Sequence, residues 1–211
     1  MKMFNVSALL VFSILVPNLI AQQTAQHEGK YALQFQIGQN FNLTSFQGAT
    51  ISGKYNFSEQ DAVRLGVTIN TNSQDNNYLY NNSTWNQTAS NSSSTTDNNY
   101  MLSAQYLRNN YYDGSIVFYY GGGPNISYAF NLNTTFAYGS GTRSADTKWI
   151  YGLTGLAGVE WYFIKNMSLS AEYGITFNYY DEVISGGGQE NRIKGTQYVP
   201  NSVKFGLSVY F

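Results

Sequence analysis

Apolar and polar residues alternate along most of this chain with the period of two that a β-strand imposes. In the clearest run, Val63, Leu65, Val67 and Ile69 fall on one face, and Arg64, Gly66, Thr68 and Asn70 on the other. A second run sets Leu169, Ala171, Tyr173, Ile175, Phe177 and Tyr179 against Ser170, Glu172, Gly174 and Thr176. Residues 33–37, 51–57, 100–106, 116–130, 149–163 and 202–211 follow the same rule, so the pattern predicts eight strands. The connections alternate in length. The first, third, fifth and seventh are long and polar, with 71–98, 131–148 and 181–199 read as loops. The second, fourth and sixth are tight turns, such as Ser58-Glu59-Gln60-Asp61 and Lys165-Asn166. Long loops at one end and short turns at the other predict an all-β, eight-stranded, antiparallel up-and-down transmembrane β-barrel.

Composition sharpens this expectation. Only 11% of the residues are charged, against about 25% in ordinary soluble proteins, too few to wet the outside of a soluble sheet. No apolar run reaches the roughly 18 residues of a membrane helix. A barrel with a lipid-facing exterior accounts for both facts. Aromatics gather in two bands, as interfacial girdles require. Tyr55, Phe57, Tyr106, Trp161, Phe163 and Phe211 lie toward the turn end. Tyr100, Tyr128, Phe130, Tyr151, Phe177 and Tyr179 lie toward the loop end. Val67, Leu102, Ala157, Ile175 and Leu207 are expected to meet lipid near mid-membrane.

The N-terminus carries Lys2, an apolar stretch over 6–16, the break Pro17-Asn18 and the small residue Ala21. That is the layout of a secretory signal peptide. Residues 1–21 are expected to be the signal, with a cut after Ala25 as the alternative, and 22–211 to be the barrel. The last ten residues alternate strictly, with Val203, Phe205, Leu207, Val209 and Phe211 on one face. They resemble the C-terminal signal of bacterial outer-membrane barrels, an alternating strand ending in Phe. That resemblance implies recognition of Phe205, Leu207, Val209 and Phe211 by the barrel-assembly machinery.

The stretch Gly155-Leu-Ala-Gly-Val-Glu-Trp-Tyr-Phe-Ile-Lys-Asn-Met-Ser-Leu-Ser-Ala-Glu-Tyr-Gly174 resembles the sixth and seventh strands of small eight-stranded outer-membrane barrels, the group of the OmpA transmembrane domain and OmpX. The resemblance covers nearly the whole mature chain. It implies an outer-membrane location and carries no catalytic motif.

Candidate chemistry is sparse. Cysteine is absent, so there is no disulfide framework and no thiolate. Net charge is -1 with no basic patch, which argues against nucleic-acid binding. Gly121-Gly122-Gly123-Pro124 lacks the Lys-Ser/Thr of a phosphate loop and predicts instead a crowded or bent point in the fifth strand. No cofactor, metal or catalytic residue is expected. The charges inside the strands, Lys54, Arg64, Glu160, Glu172 and Lys204, share the inward parity. They predict a buried network in which Arg64 joins Glu160 and Glu172, with Lys204 or Lys54 completing it. Tyr119, Tyr162 and Tyr210 are expected inward as well. Tyr78, Tyr80 and Trp85 make the third connection the candidate binding loop, otherwise expected to be mobile.

An eight-stranded barrel is just wide enough for side chains to fill. The expected function is therefore non-enzymatic: envelope structure, or surface binding of an extracellular ligand, by a monomer in contact with outer-membrane lipid. A small pore is the alternative. A lipid-modifying enzyme would have to use His27, the only histidine and one that precedes the first strand. A soluble ligand-binding barrel would leave the charge deficit and the one-sided loops unexplained.

Overall fold

Nine antiparallel strands form one closed sheet in the computed structural model, which describes residues 31–42, 47–82, 87–113, 115–137 and 140–211. They are β1 (Tyr31–Asn42), β2 (Gln47–Asn56), β3 (Asp61–Asn82), β4 (Gln87–Asp113), β5 (Ile116–Ala137), β6 (Ser140–Ile164), β7 (Met167–Gly186), β8 (Gln189–Pro200) and β9 (Lys204–Tyr210). Strands β1 to β7 pair in sequence order, and β9 closes the ring between β7 and β1.

The ninth strand does not add a ninth stave. Ile175 pairs with Pro200, and the Asn201 amide donates to the Gly174 carbonyl at 2.9 Å. Three residues on, Glu172 pairs with Lys204. Ser202 and Val203 therefore share the single partner position of Tyr173, which is a β-bulge. It reverses the parity of the strand, so Tyr198 (75% exposed) and Phe205 (59%) both point outward. β8 and β9 are one stave interrupted by the bulge, and the barrel has the eight staves that the alternation predicts. Phe211 and Tyr31 exchange backbone hydrogen bonds at 2.9 and 3.2 Å, joining the last strand to the first.

The barrel is inside out relative to a soluble protein. Leu65, Leu102, Leu153, Ile175 and Phe205 are exposed, whereas Ser52, Lys54, Arg64, Glu160, Ser168 and Ser208 are buried. Val67, Ala157 and Leu207 also face outward. So continuous an apolar exterior is untenable in water. With every stave bonded on both sides, a closed sheet is the β-structure a bilayer accepts. The two aromatic bands are real belts. Tyr31 stacks on Tyr55 and Trp161 packs on Phe163 at the turn end, while Tyr128 packs on Trp149 and Phe177 on Tyr198 at the other. The run from Tyr151 to Trp161 on β6 spans about 33 Å at ~3.3 Å per residue. A tilt of ~40° reduces it to about 25 Å of height, the thickness of a barrel's apolar band.

The segments expected to be loops are strands. β3 and β4 keep one unbroken register from Asp61 opposite Arg108 to Asn82 opposite Gln87, carrying the sheet through most of 71–98. The β5–β6 hairpin does the same through 131–148, and the β7–β8 hairpin through 181–199. Pairing a hairpin needs only backbone groups and a neighbour in register. Here both faces are Asn, Ser and Thr, so no apolar alternation marks the strands. Side chains add their own cross-strand links, for example Thr95 donating to Asn133 at 2.8 Å. The third connection, expected as a mobile loop with at most a hairpin tip around its tyrosines, is instead a tall hairpin paired from its base.

The triple glycine has a steric cause. A Cβ on Gly121 or Gly123 would fall inside the carbonyl oxygens of Tyr106 or Ala104, and one on Gly122 inside that of Thr154. β5 is thus squeezed between the backbones of β4 and β6. Gly122→Val should cost about 1–3 kcal/mol, the usual range for overpacking. It should lower the urea midpoint of the refolded barrel, and an unchanged midpoint would contradict the close approach.

Candidate functional site: the charged lumen and its vestibule

Inward parity brings the five predicted charges toward one level of the lumen, but four of them form two pairs rather than a network around one hub. Arg64 on β3 reaches across to Glu172 on β7, with Nη1–Oε2 at 2.8 Å and Nη2–Oε1 at 3.3 Å. Lys54 on β2 reaches Glu160 on β6, with Nζ–Oε2 at 3.0 Å. Arg64 therefore does not join the two carboxylates. Its planar fork is spent on Glu172, and its remaining donors go to Gln34 Oε1 (3.0 Å) and Gln105 Oε1 (2.8 Å). Each pair spans the ring between non-neighbouring staves, which fixes opposite walls against each other.

Tyrosines complete the plug. Tyr119 donates to Glu172 at 3.1 Å, and Tyr210 donates to Glu160 at 2.6 Å while accepting from Lys54 at 3.2 Å. Tyr162 hydrogen-bonds Tyr210 through the hydroxyls at 2.8 Å. Ser168 donates a further bond to Glu160. The four paired ions are all less than 8% exposed, so their charge must be met inside the protein, and these contacts meet it. Tyr119 also lies over Gly158, its cross-strand partner, where a Cβ would strike the ring. Sequence parity placed the tyrosines inward but gave no sign that they solvate the carboxylates. Gln34 and Gln105 were missed because amides carry no charge to single them out.

Lys204 is different. It stands opposite Glu172 in the register and feels its charge, yet makes no hydrogen bond or ion pair among the described residues. It points into a vestibule of about 880 Å³ that rises from the plug toward the hairpin end. The walls are mainly amides and hydroxyls. Thr50 pairs with Thr68 at 2.7 Å, Thr154 with Thr176 at 2.9 Å, and Ser127 donates to Asn99 at 2.8 Å.

Above the barrel the β7–β8 hairpin carries an ion cluster. Arg192 donates Nε and Nη2 to Asp181 at 2.8 and 2.6 Å, and Lys194 lies 3.5 Å from the same carboxylate. Chiefly through the Arg192 hydrogen bonds, the Asp181 carboxyl is held below the ordinary aspartate range. A depressed carboxyl contributes stability above its unfolded pKa and loses it as pH falls through the folded one. Titrating the Asp181 side-chain carbon by NMR should give a midpoint below that of free aspartate. Arg192→Gln should move it up, and a midpoint indifferent to that change would contradict the assignment.

Other predicted residues are placed as follows. Phe205, Leu207, Val209 and Phe211 all face outward on the closing stave. Tyr78 and Tyr80 fall near the end of β3, their backbones opposite Asn91 and Ala89. Trp85, His27 and the signal region lie outside the described residues.

No protein-family model and no curated protein sequence matches the chain. Among solved structures it is similar to a major outer membrane protein from Thermus thermophilus. The two share 14% identity over 88% of this chain and all of that one, with a TM-score of 0.53. It also matches CarO from Acinetobacter baumannii at 11% identity, over 88% of this chain and 99% of that one, with a TM-score of 0.36. Ail, the attachment invasion locus protein of Yersinia pestis, matches at 15% identity over 84% of this chain and 88% of that one, with a TM-score of 0.32. At these identities the Thermus likeness speaks for the fold alone, and the other two superpose too loosely to add to it. Geometry and likeness together establish an eight-stave transmembrane β-barrel whose lumen is crossed by two buried ion pairs.

Proposed function

We propose that this chain is a non-enzymatic bacterial outer-membrane protein that closes its own lumen and works through the hairpins standing above the membrane. The observation that carries this reading is the pair of ion bridges, Arg64–Glu172 and Lys54–Glu160, set across the narrow interior with tyrosines between them. The interior of an eight-stranded barrel is just wide enough for side chains to fill. The tall polar hairpins β3–β4, β5–β6 and β7–β8 all rise at the end opposite the tight turns, Tyr31 and Phe211. Export by residues 1–21, assembly through the outward face of β9, and kinship with the small OmpA- and OmpX-like barrels belong to the same reading. The candidate contact surface is the outer part of the β3–β4 hairpin that carries Tyr78 and Tyr80, and Trp85 follows them in the sequence.

Planar-bilayer recording tests the closed lumen. The wild-type barrel should give no stable openings, and Arg64→Ala should raise conductance. Reproducible wild-type channels would favour a pore instead. Deleting residues 76–93 tests the division of labour, because that tip pairs only with itself and the upper end of β5. The shortened barrel should still fold, seen as a shifted unheated gel band, and failure to fold would show that the hairpin supports the wall.

A further inference from the structure

The plug leaves one charge over. Among the described residues, Lys54, Arg64 and Lys204 stand at the level of the plug with Glu160 and Glu172, and the two carboxylates are already engaged by Lys54 and Arg64. The excess cation is Lys204, at the floor of the 880 Å³ vestibule and open to it. An ammonium in this position attracts an anion, and a low-dielectric wall strengthens the attraction.

The vestibule's other chemistry narrows the kind of anion. Around Lys204 the wall offers hydroxyl pairs, Thr50–Thr68 and Thr154–Thr176, whose oxygens keep lone pairs beyond the bond they share. Among the described residues the only carboxylate higher in the vestibule is Asp97, which binds the Asn131 amide. It stands eight residues along β4 from Gln105, which bonds Arg64 at the plug, about 26 Å along the strand at ~3.3 Å per residue. The site thus combines one cation with many hydroxyl and amide partners.

We propose that the vestibule binds a small polyhydroxylated anion of the sugar-acid class. Its carboxylate sits on Lys204 Nζ, and its hydroxyls meet the threonine pairs. This goes beyond the closed-lumen reading and does not depend on it, since the cavity and its lining are the same whichever compartment its mouth faces.

The test uses the full barrel refolded in detergent, titrated with D-glucuronate and, separately, with D-glucose and acetate, by NMR shift and calorimetry. Glucuronate should bind saturably and at least about tenfold tighter than either control, the margin of one well-made charged contact. Lys204→Gln should weaken it by about tenfold or more, Lys204→Arg should retain it, and Thr68→Val should weaken it several-fold. Folding of each variant is checked by unheated gel migration. If Lys204→Gln does not fold, Thr68→Val and the two control ligands decide. No saturable glucuronate binding, equal binding of acetate or glucose, or binding indifferent to both substitutions would overturn the proposal. A leaky lumen in bilayers would contradict the closed-lumen reading while leaving this site standing.

Discussion

Replacing Arg64 with alanine should destabilise the refolded barrel by about 3–5 kcal/mol, the range for breaking one side of a buried ion pair. The loss follows from what is left behind. Glu172 keeps the Tyr119 hydroxyl and the more distant field of Lys204 but loses its paired cation, while Gln34 and Gln105 lose their shared donor. The pair itself need not be strongly stabilising, because two ions had to leave water to form it. The double change Arg64→Met with Glu172→Leu should therefore cost clearly less than the two single changes added together. Lys54→Met with Glu160→Leu should behave alike, tempered by the Tyr210 and Ser168 hydroxyls, which lose their carboxylate acceptor. Urea-driven unfolding from lipid vesicles, run as a double-mutant cycle, measures this. Strict additivity would mean that the two residues do not act as a pair.

Ile175→Arg should cost roughly 2–4 kcal/mol, the depth-dependent penalty for a guanidinium on the lipid face near the midplane. Ile175 is 52% exposed, and it sits between the belts marked by Trp161 and Phe177. Leu102→Arg and Leu207→Arg should lie in the same range. Phe211→Arg should cost far less, because that residue stands at the rim, where the side chain reaches water. Equal penalties at Ile175 and Phe211 would dismiss the membrane placement. A negligible penalty at Ile175 would mean that its face does not meet hydrocarbon.

Strand number, facing and closure were legible because a lipid exterior and a polar interior write themselves as a period-two code. Val63 to Ile69 and Leu169 to Tyr179 carry that code over whole membrane-spanning segments. The code fails where both sides of a strand see water. Nothing in 71–98, 131–148 or 181–199 distinguishes a polar strand from a polar loop, since register there is held by backbone pairing rather than by burial. The bulge at Ser202–Val203 was hidden for a related reason. Tyr198 and Phe205 are both outward but differ in parity, so the alternation of the last stave cannot be followed past the bulge.

For the lumen, the sequence by itself determined which residues face inward. Lys54, Arg64, Glu160, Glu172 and Lys204 all share the polar parity, and an unpaired ion among them would be heavily penalised. Who pairs with whom was decided only by tertiary structure. That depends on the stagger of the staves and on which walls stand opposite across the ring, quantities set by pairings such as Glu172 with Lys204 and Lys54 with Arg64. Those registers split the expected network into two crossed pairs, brought Tyr119 and Tyr210 between them, and left Lys204 facing an open vestibule. Side-chain parity is a local property of each strand; the distance across a closed barrel belongs to the whole ring.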